Sequence, residues 1–260
     1  MQIVGIVLVR NEDTFVERAA RNAAVFCDQL LLVDHGSKDQ TPEILTRLAA
    51  ELPATKFVPI RHPGESHALI QNFAGTPTWI FAVDGDEIYD PIRLKKLRQR
   101  ILSGEFDRFW MILGNVLNVT DLKGNEATGH LAPPCRSMTK LYNFEAIESW
   151  DGDTPERLHG GIVKFRPGFE DHHRKMMHEE LPWEDSDFRC LHVCFLQRSS
   201  LDETNVARQN IMETFGASPF KRLWRSISKF LGSGEDWKYS RYRRGPAVTK
   251  DVANFFPVRP

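Results

Sequence analysis

The early part of the chain alternates short apolar runs with amphipathic helical patterns, and that alternation constrains the fold more than any other feature. Residues 3–9, 29–34, 56–60 and 78–84 are continuously apolar over strand length, without the apolar–polar alternation of a strand wetted on one face. Strands of that kind need cover on both sides, which a parallel sheet between helices provides. Helical patterns at 14–26, 41–52 and 65–74 fill the gaps, and a fourth at 91–102 follows the last run. Thr41 followed by Pro42 marks a helix start, because the hydroxyl can cap the first turn and proline's fixed φ suits it. The expected class is α/β, with a Rossmann-like, mainly parallel central sheet flanked by helices.

Beyond Phe109 the pattern loosens. A strand is expected over 109–119 and weaker ones over 138–142 and 161–165, then a segment rich in His, Asp and Glu over 170–187, then an apolar run over 190–196. A composition shift near 216–219 sets off a helical or irregular C-terminal appendage, giving a main domain of 1–215 and an extension of 216–260. With 260 residues, 41% hydrophobic and 27% charged, the chain can bury a full core, and a net charge of -1 gives no electrostatic footprint for nucleic acid. The N-terminal run lacks the basic start and small-residue cleavage site of a signal peptide and is cut by Arg10-Asn11-Glu12, so it reads as the first strand. No apolar run approaches the ~20 residues needed to span a bilayer. Cys27, Cys135, Cys190 and Cys194 form no CxxC, and a reduced, cytoplasmic protein is the simplest reading.

The fourth apolar run ends in acid: Trp79-Ile80-Phe81-Ala82-Val83-Asp84-Gly85-Asp86-Glu87. Two carboxylates about 4 Å apart repel by roughly 4 kcal/mol at an effective dielectric of ~20, so a cation or hydrogen-bond donors are expected beside them. A divalent ion bound to a diphosphate would meet that need; an ordinary Asp-Gly turn at a strand end is the plainer reading. The loop after the first strand, Arg10-Asn11-Glu12-Asp13-Thr14, is not a GxGxxG turn, and the chain holds no P-loop. A diphosphate here would therefore be held by metal and side chains.

Val9-Arg10-Asn11-Glu12 after strand one, Leu32 through Thr41 after strand two, and Trp79 through Glu87 after strand four resemble, in order and spacing, the GT-A-fold family 2 glycosyltransferases. Where that family commonly has Arg-Asn, this chain has Gln71-Asn72. The resemblance implies a GT-A fold with a nucleotide-sugar half at 1–115 and an acceptor half at 116–215. It implies a nucleoside-diphosphate sugar donor, a glycan, lipid-linked or peptide acceptor, and Mn²⁺ or Mg²⁺ as cofactor. Val9, Asn11, Glu12, Asp34 and Asp84 correspond to the nucleotide-binding positions, Asp84 and Asp86 to the DxD pair that binds the metal, and His192 to a third metal ligand. The family inverts by direct displacement, so a carboxylate should deprotonate the acceptor: Glu179 is favoured, Asp153 is its alternative, and Glu180, Asp151 and Asp171 are also candidates. A sugar nucleotidyltransferase and a non-catalytic sugar-nucleotide or glycan binding module remain as competing functions.

His172, His173 and His178 invite a zinc reading, but His178-Glu179 is not followed by a second His four positions on, so the HExxH helix is absent. Residues 220–231 form a basic amphipathic helical pattern that suits an anionic membrane surface, such as the inner face of the cell membrane, and equally suits packing on the core or on a second subunit. Arg241, Arg243 and Arg244 read either as a flap over a diphosphate or as a solvated tail.

Overall fold

A computed structural model describes residues 1–131, 139–151, 161–202 and 241–257. In chain order the strands are β1 (Gln2–Val9), β2 (Gln29–Asp34), β3 (Thr55–Pro59), β4 (Thr78–Asp84), β5 (Glu87–Tyr89), β6 (Met111–Leu113), β7 (Asn115–Lys123), β8 (Glu126–His130), β9 (Lys140–Asn143), β10 (Ile147–Asp151), β11 (Ile162–Phe165), β12 (Arg174–Met176), β13 (Arg189–His192) and β14 (Ala247–Asp251). The α-helices are α1 (Val16–Ala24), α2 (Thr41–Glu51), α3 (Pro91–Leu102) and the single turn α4 (Met177–Glu180).

The central sheet has the order β12-β6-β9-β4-β1-β2-β3. Its β4-β1-β2-β3 half is wholly parallel, and β9 alone runs against its neighbours β4 and β6. The fold is thus mixed α/β with a mostly parallel central sheet. Side chains alternate between two buried layers: Ile3, Val7, Val9, Phe81 and Val83 pack with Phe26, Leu45 and Leu94, while Val4, Ile6, Leu8, Ile80 and Ala82 pack with Trp110, Tyr142 and Trp150. Burial on both faces is why these strands read as continuous apolar runs.

A five-stranded sheet of order β14-β8-β7-β13-β5 adjoins the first, and β10 pairs with β11 separately. Two short links carry the chain from the first large sheet into the second. One is the acidic turn between β4 and β5. The other is Gly114, which divides the single strand expected over 109–119 into β6 and β7. A Cβ at Gly114 would lie 2.1 Å from the Phe188 carbonyl oxygen, so only glycine lets the backbone cross there.

The helix expected over 65–74 is instead two 3₁₀ turns, Pro63–Leu69 and Gln71–Phe73. The first is closed by local caps: His62 Nδ1 accepts the Gly64 N–H at 3.2 Å, and Glu65 Oε1 accepts the His62 N–H at 2.7 Å. Its apolar residues are too few to form the stripe that stabilises an α-helix. The C-terminal extension is only partly described, yet β14 within it pairs along β8 from Ala247 to Asp251, so its end is built into the second sheet. The boundary at 216, the 220–231 pattern and Cys135 lie outside the described residues. Cys27, Cys190 and Cys194 are free thiols. Among the described residues no helix is long and apolar enough to cross a membrane.

Candidate functional site

Ligands of open α/β sheets bind beyond the carboxyl ends of the strands, and at that edge β4 ends in Asp84. The turn there lies tight against β1, since a Cβ at Gly85 would stand 2.8 Å from both Val9 Cγ1 and Glu12 Cγ. Gly85→Ala is expected to lower the thermal denaturation midpoint by the equivalent of ~1–3 kcal/mol, as overpacking does; an unchanged midpoint would mean that the turn can shift away from β1.

Among the described residues two buried cations meet the acids. Lys140, on β9 and 1% exposed, places Nζ 3.2 Å from Asp84 Oδ2 and 3.4 Å from Glu87 Oε1. Glu87 is fully buried and accepts the Asp84 N–H at 3.3 Å and the Tyr89 hydroxyl at 3.2 Å. Burial pushes the Glu87 carboxyl up to about 8, with Lys140 opposing and the charges of Asp84 and Asp86 reinforcing the rise. Arg198, on the loop after β13, sets Nη1 against Asp86 Oδ2 and 3.4 Å from Glu12 Oε1. Burial disfavours that guanidinium's charge, but Glu12 and Asp86 outweigh it and hold Arg198 above its ordinary pKa.

His192 ends β13 on the same side. Its Nδ1 lies 2.8 Å from Asn118 Oδ1, while the Asn118 Nδ2 faces the His130 carbonyl at 3.4 Å, which turns the amide oxygen toward the imidazole. With Nδ1 facing Asn118, the other ring nitrogen, Nε2, lies 3.7 Å from Asp86 Oδ2. A partner that fixes the ring through its other nitrogen, as Asn118 does, is usual for a metal-ligating histidine. The carboxylate oxygens suit Mg²⁺ or Mn²⁺. The expected set Asp84, Asp86 and His192 is therefore brought to one edge, with Asp86 and His192 facing each other and Asp84 turned to Lys140. Among the described residues no three or more His, Cys, Asp or Glu side chains stand together so as to hold a metal ion.

The expected nucleotide positions gather beside this cluster. Val9 is buried at the end of β1. Asn11 takes a left-handed conformation, φ 52°, which its short polar side chain tolerates. Its N–H donates to Ser37 Oγ at 2.8 Å and its Oδ1 accepts the Lys38 N–H at 2.8 Å. Asp34 accepts the Ser37 N–H at 3.1 Å and also its hydroxyl, and the Glu12 N–H donates to Thr41 Oγ1 at 2.9 Å. The loop carrying Arg198 is tied to the same region through Ser199 Oγ to Asp39, 2.6 Å, and Ser200 N–H to Asp13, 2.7 Å. The loops after β1, β2 and β13 thus form one hydrogen-bonded rim around the acids.

Glu179 stands at this edge too. β12 and β6 run with β4, since β9 is antiparallel to β4 and β6 and β12 is parallel to β6, so α4 leaves β12 at the carboxyl end, three strand spacings or ~14 Å from β4. The Glu179 side chain is 65% exposed and 3.8 Å from His178 Nε2. Glu180 is ion-paired with Lys175 and Asp171 with Arg174. Asp151 ends β10 in the separate two-stranded sheet. Asp153 lies outside the described residues.

Four site residues had escaped the sequence reading: Lys140, Arg198, Asn118 and Tyr242. Lys140 left a trace, a charge at the head of the apolar pair Leu141-Tyr142. Tyr242 packs its ring 5.3 Å from that of His192, and Arg243 lies 4.6 Å over Phe195, so 241–244 returns against the site; Arg241 and Arg244 are exposed.

No family model matches the sequence, and no curated protein matches it. Several solved structures overlap it in part. S. aureus TarS 1-349 in complex with UDP is 16% identical, with a TM-score of 0.42 over 61% of this chain and 54% of that one. Glucosyl-3-phosphoglycerate synthase from Mycobacterium tuberculosis, in complex with Mn²⁺, UDP and glucosyl-3-phosphoglycerate, is 21% identical, with a TM-score of 0.33 over 44% of each chain. The mannosyltransferase PcManGT from Pyrobaculum calidifontis, in complex with GDP-Man and Mn²⁺, is 19% identical, with a TM-score of 0.32 over 46% of this chain and 36% of that one. The chain spans about half the length of the TarS fragment it matches.

Proposed function

We propose that the chain is a metal-dependent inverting glycosyltransferase that moves a sugar from a nucleoside-diphosphate sugar to a glycan, lipid-linked or peptide acceptor, in the synthesis of cell-surface polysaccharide or lipopolysaccharide. One observation carries this reading: the ends of β1, β2 and β4, which hold the three motifs of the family resemblance, meet at one sheet edge with His192 facing Asp86 across 3.7 Å.

In this reading Val9, Asn11, Glu12 and Asp34 line the nucleoside end, where the rigid rim of loop hydrogen bonds fixes them before the donor arrives. Asp86 and His192 would hold the metal, with Asp84 beside them on the ribose side. A divalent ion there supplies Lewis-acid stabilisation to the leaving diphosphate. Lys140 keeps Asp84 and Glu87 together beneath the site, and Asn118 fixes the His192 ring beside Asp86. Glu179, open to solvent on the far side of the edge, takes the acceptor proton as the hydroxyl attacks.

The test is a thermal-shift panel of nucleoside diphosphates and sugar nucleotides with and without Mn²⁺. A ligand at 100 times its dissociation constant stabilises by about 2.7 kcal/mol, a clear rise in midpoint. A nucleoside diphosphate with Mn²⁺ is expected to give such a rise and Asp86→Ala to remove it; no response to any nucleotide sinks the proposal. Pyrophosphate release from a nucleoside triphosphate and a sugar phosphate would move the assignment to a sugar nucleotidyltransferase. Binding without slow donor hydrolysis would move it to a binding module.

A further inference from the structure

The carboxylate oxygen that would take a metal already has a cation on it. Arg198 Nη1 contacts Asp86 Oδ2, the same oxygen that lies 3.7 Å from His192 Nε2. The guanidinium lies 3.4 Å from Glu12 Oε1 as well, so it bridges two buried acids that come from the loop after β1 and the β4–β5 turn. Arg198 is itself buried, and its Nε is enclosed with no hydrogen-bond partner among the described residues. An enclosed N–H donor left unpaired is a disfavoured arrangement, so the guanidinium is held at Asp86 by charge and not by a complete set of hydrogen bonds. Its backbone is anchored independently: the Thr14 N–H donates to the Arg198 carbonyl at 3.1 Å, and the next two residues are tied to Asp39 and Asp13.

We propose that Arg198 is a resident counter-cation of the Asp86 carboxylate and sets the metal affinity of the site, because the Asp86 oxygen that faces His192, Oδ2, is the one the guanidinium holds. The inference rests on the reading of Asp86 and His192 as metal ligands. The guanidinium cannot yield by losing its proton, since arginine stays charged in proteins. It yields by turning its side chain, while the anchored backbone keeps it beside the vacated oxygen. Metal loading is therefore an exchange of one cation for another. In the metal-free protein, Arg198 screens Glu12 from Asp86.

The experiment is a calorimetric titration of the whole protein with Mn²⁺ alone, without nucleotide, comparing the native chain with Arg198→Ala and Arg198→Lys. Removing the competitor is expected to tighten Mn²⁺ binding at least tenfold in Arg198→Ala. Arg198→Lys keeps a charge but loses the planar fork, and its affinity is expected to fall between the other two. Metal-free Arg198→Ala should melt lower than the native chain, and Mn²⁺ should raise its midpoint by more than it raises the native one. Should Arg198→Ala fail to fold, a Mg²⁺ titration of the native chain followed by arginine side-chain NMR replaces it, with the Arg198 guanidinium signal expected to move in step with occupancy. Equal or weaker Mn²⁺ affinity in the variants, or an Arg198 signal indifferent to Mg²⁺, overturns the exchange while leaving the metal site standing. No Mn²⁺ binding by any of the proteins overturns both the exchange and the metal reading beneath it.

Discussion

Glu179→Gln is expected to leave donor binding intact while reducing sugar transfer by ~10²–10⁴-fold, the range a positioned general base contributes. The amide keeps the size of the side chain and removes its basicity, so the loss should fall on kcat and spare the affinity for nucleoside diphosphate. The choice of Glu179 rests on contrast with its neighbours. Glu180 and Asp171 have their carboxylates engaged by Lys175 and Arg174, and Asp151 belongs to a separate sheet. Glu179 is solvent-facing at the same carboxyl edge as Asp84, with the half-buried His178 ring beside it. Burial lowers the His178 pKa, favouring the neutral ring that leaves Glu179 without a competing cation. The measurement is single-turnover transfer to a defined acceptor, with donor affinity from calorimetry. Near-native turnover removes Glu179 from the role and passes it to Asp153.

The two halves of the chain differ in what their sequence discloses, and the reason is the source of each residue's partners. β2, β4 and α3 occur at the expected residues because both faces of these strands are buried and Asp90 caps α3 locally, accepting the Ile92 and Arg93 N–H groups at 3.0 and 3.1 Å. Asp84 and Asp86 were legible for the same reason, as acids that interrupt an apolar run. Gly114 was not, because the clash it avoids is with Phe188, far along the chain. Nor was Arg198, an unremarkable residue in a polar loop until the fold sets it on Asp86, 112 positions away. Local chemistry marks where a site begins; the counter-charges that complete it are supplied by tertiary structure.

Lys140→Met is expected to destabilise the protein by ~3–5 kcal/mol near pH 8, the effect of removing one partner from a buried ion pair. Methionine fills the space of the lysine stem, so the effect isolates the charge. Its pH dependence distinguishes that cause from a packing defect. The folded Glu87 carboxyl titrates near 8, above the ordinary value of 4.5, because it is buried among Asp84 and Asp86, with Lys140 alone among the named groups pulling it down by its charge. A raised folded pKa means that the native state binds the proton more tightly than the unfolded chain between those values, so the Glu87 contribution to stability is complete below about 4.5 and declines as pH rises toward 8. Without Lys140 the folded value climbs further and the decline continues to higher pH. The gap in midpoint between the native chain and Lys140→Met should therefore be smallest and flat up to about pH 7, where Glu87 is protonated in both, and widen as pH rises through 8 to 9. Adding Glu87→Gln to Lys140→Met removes the carboxyl that has to take up a proton on folding, and should narrow the gap at pH 8 while changing little at pH 5. A gap that stays constant across this range assigns the loss to packing, and Lys140 then has no electrostatic part in holding the acids beneath the site.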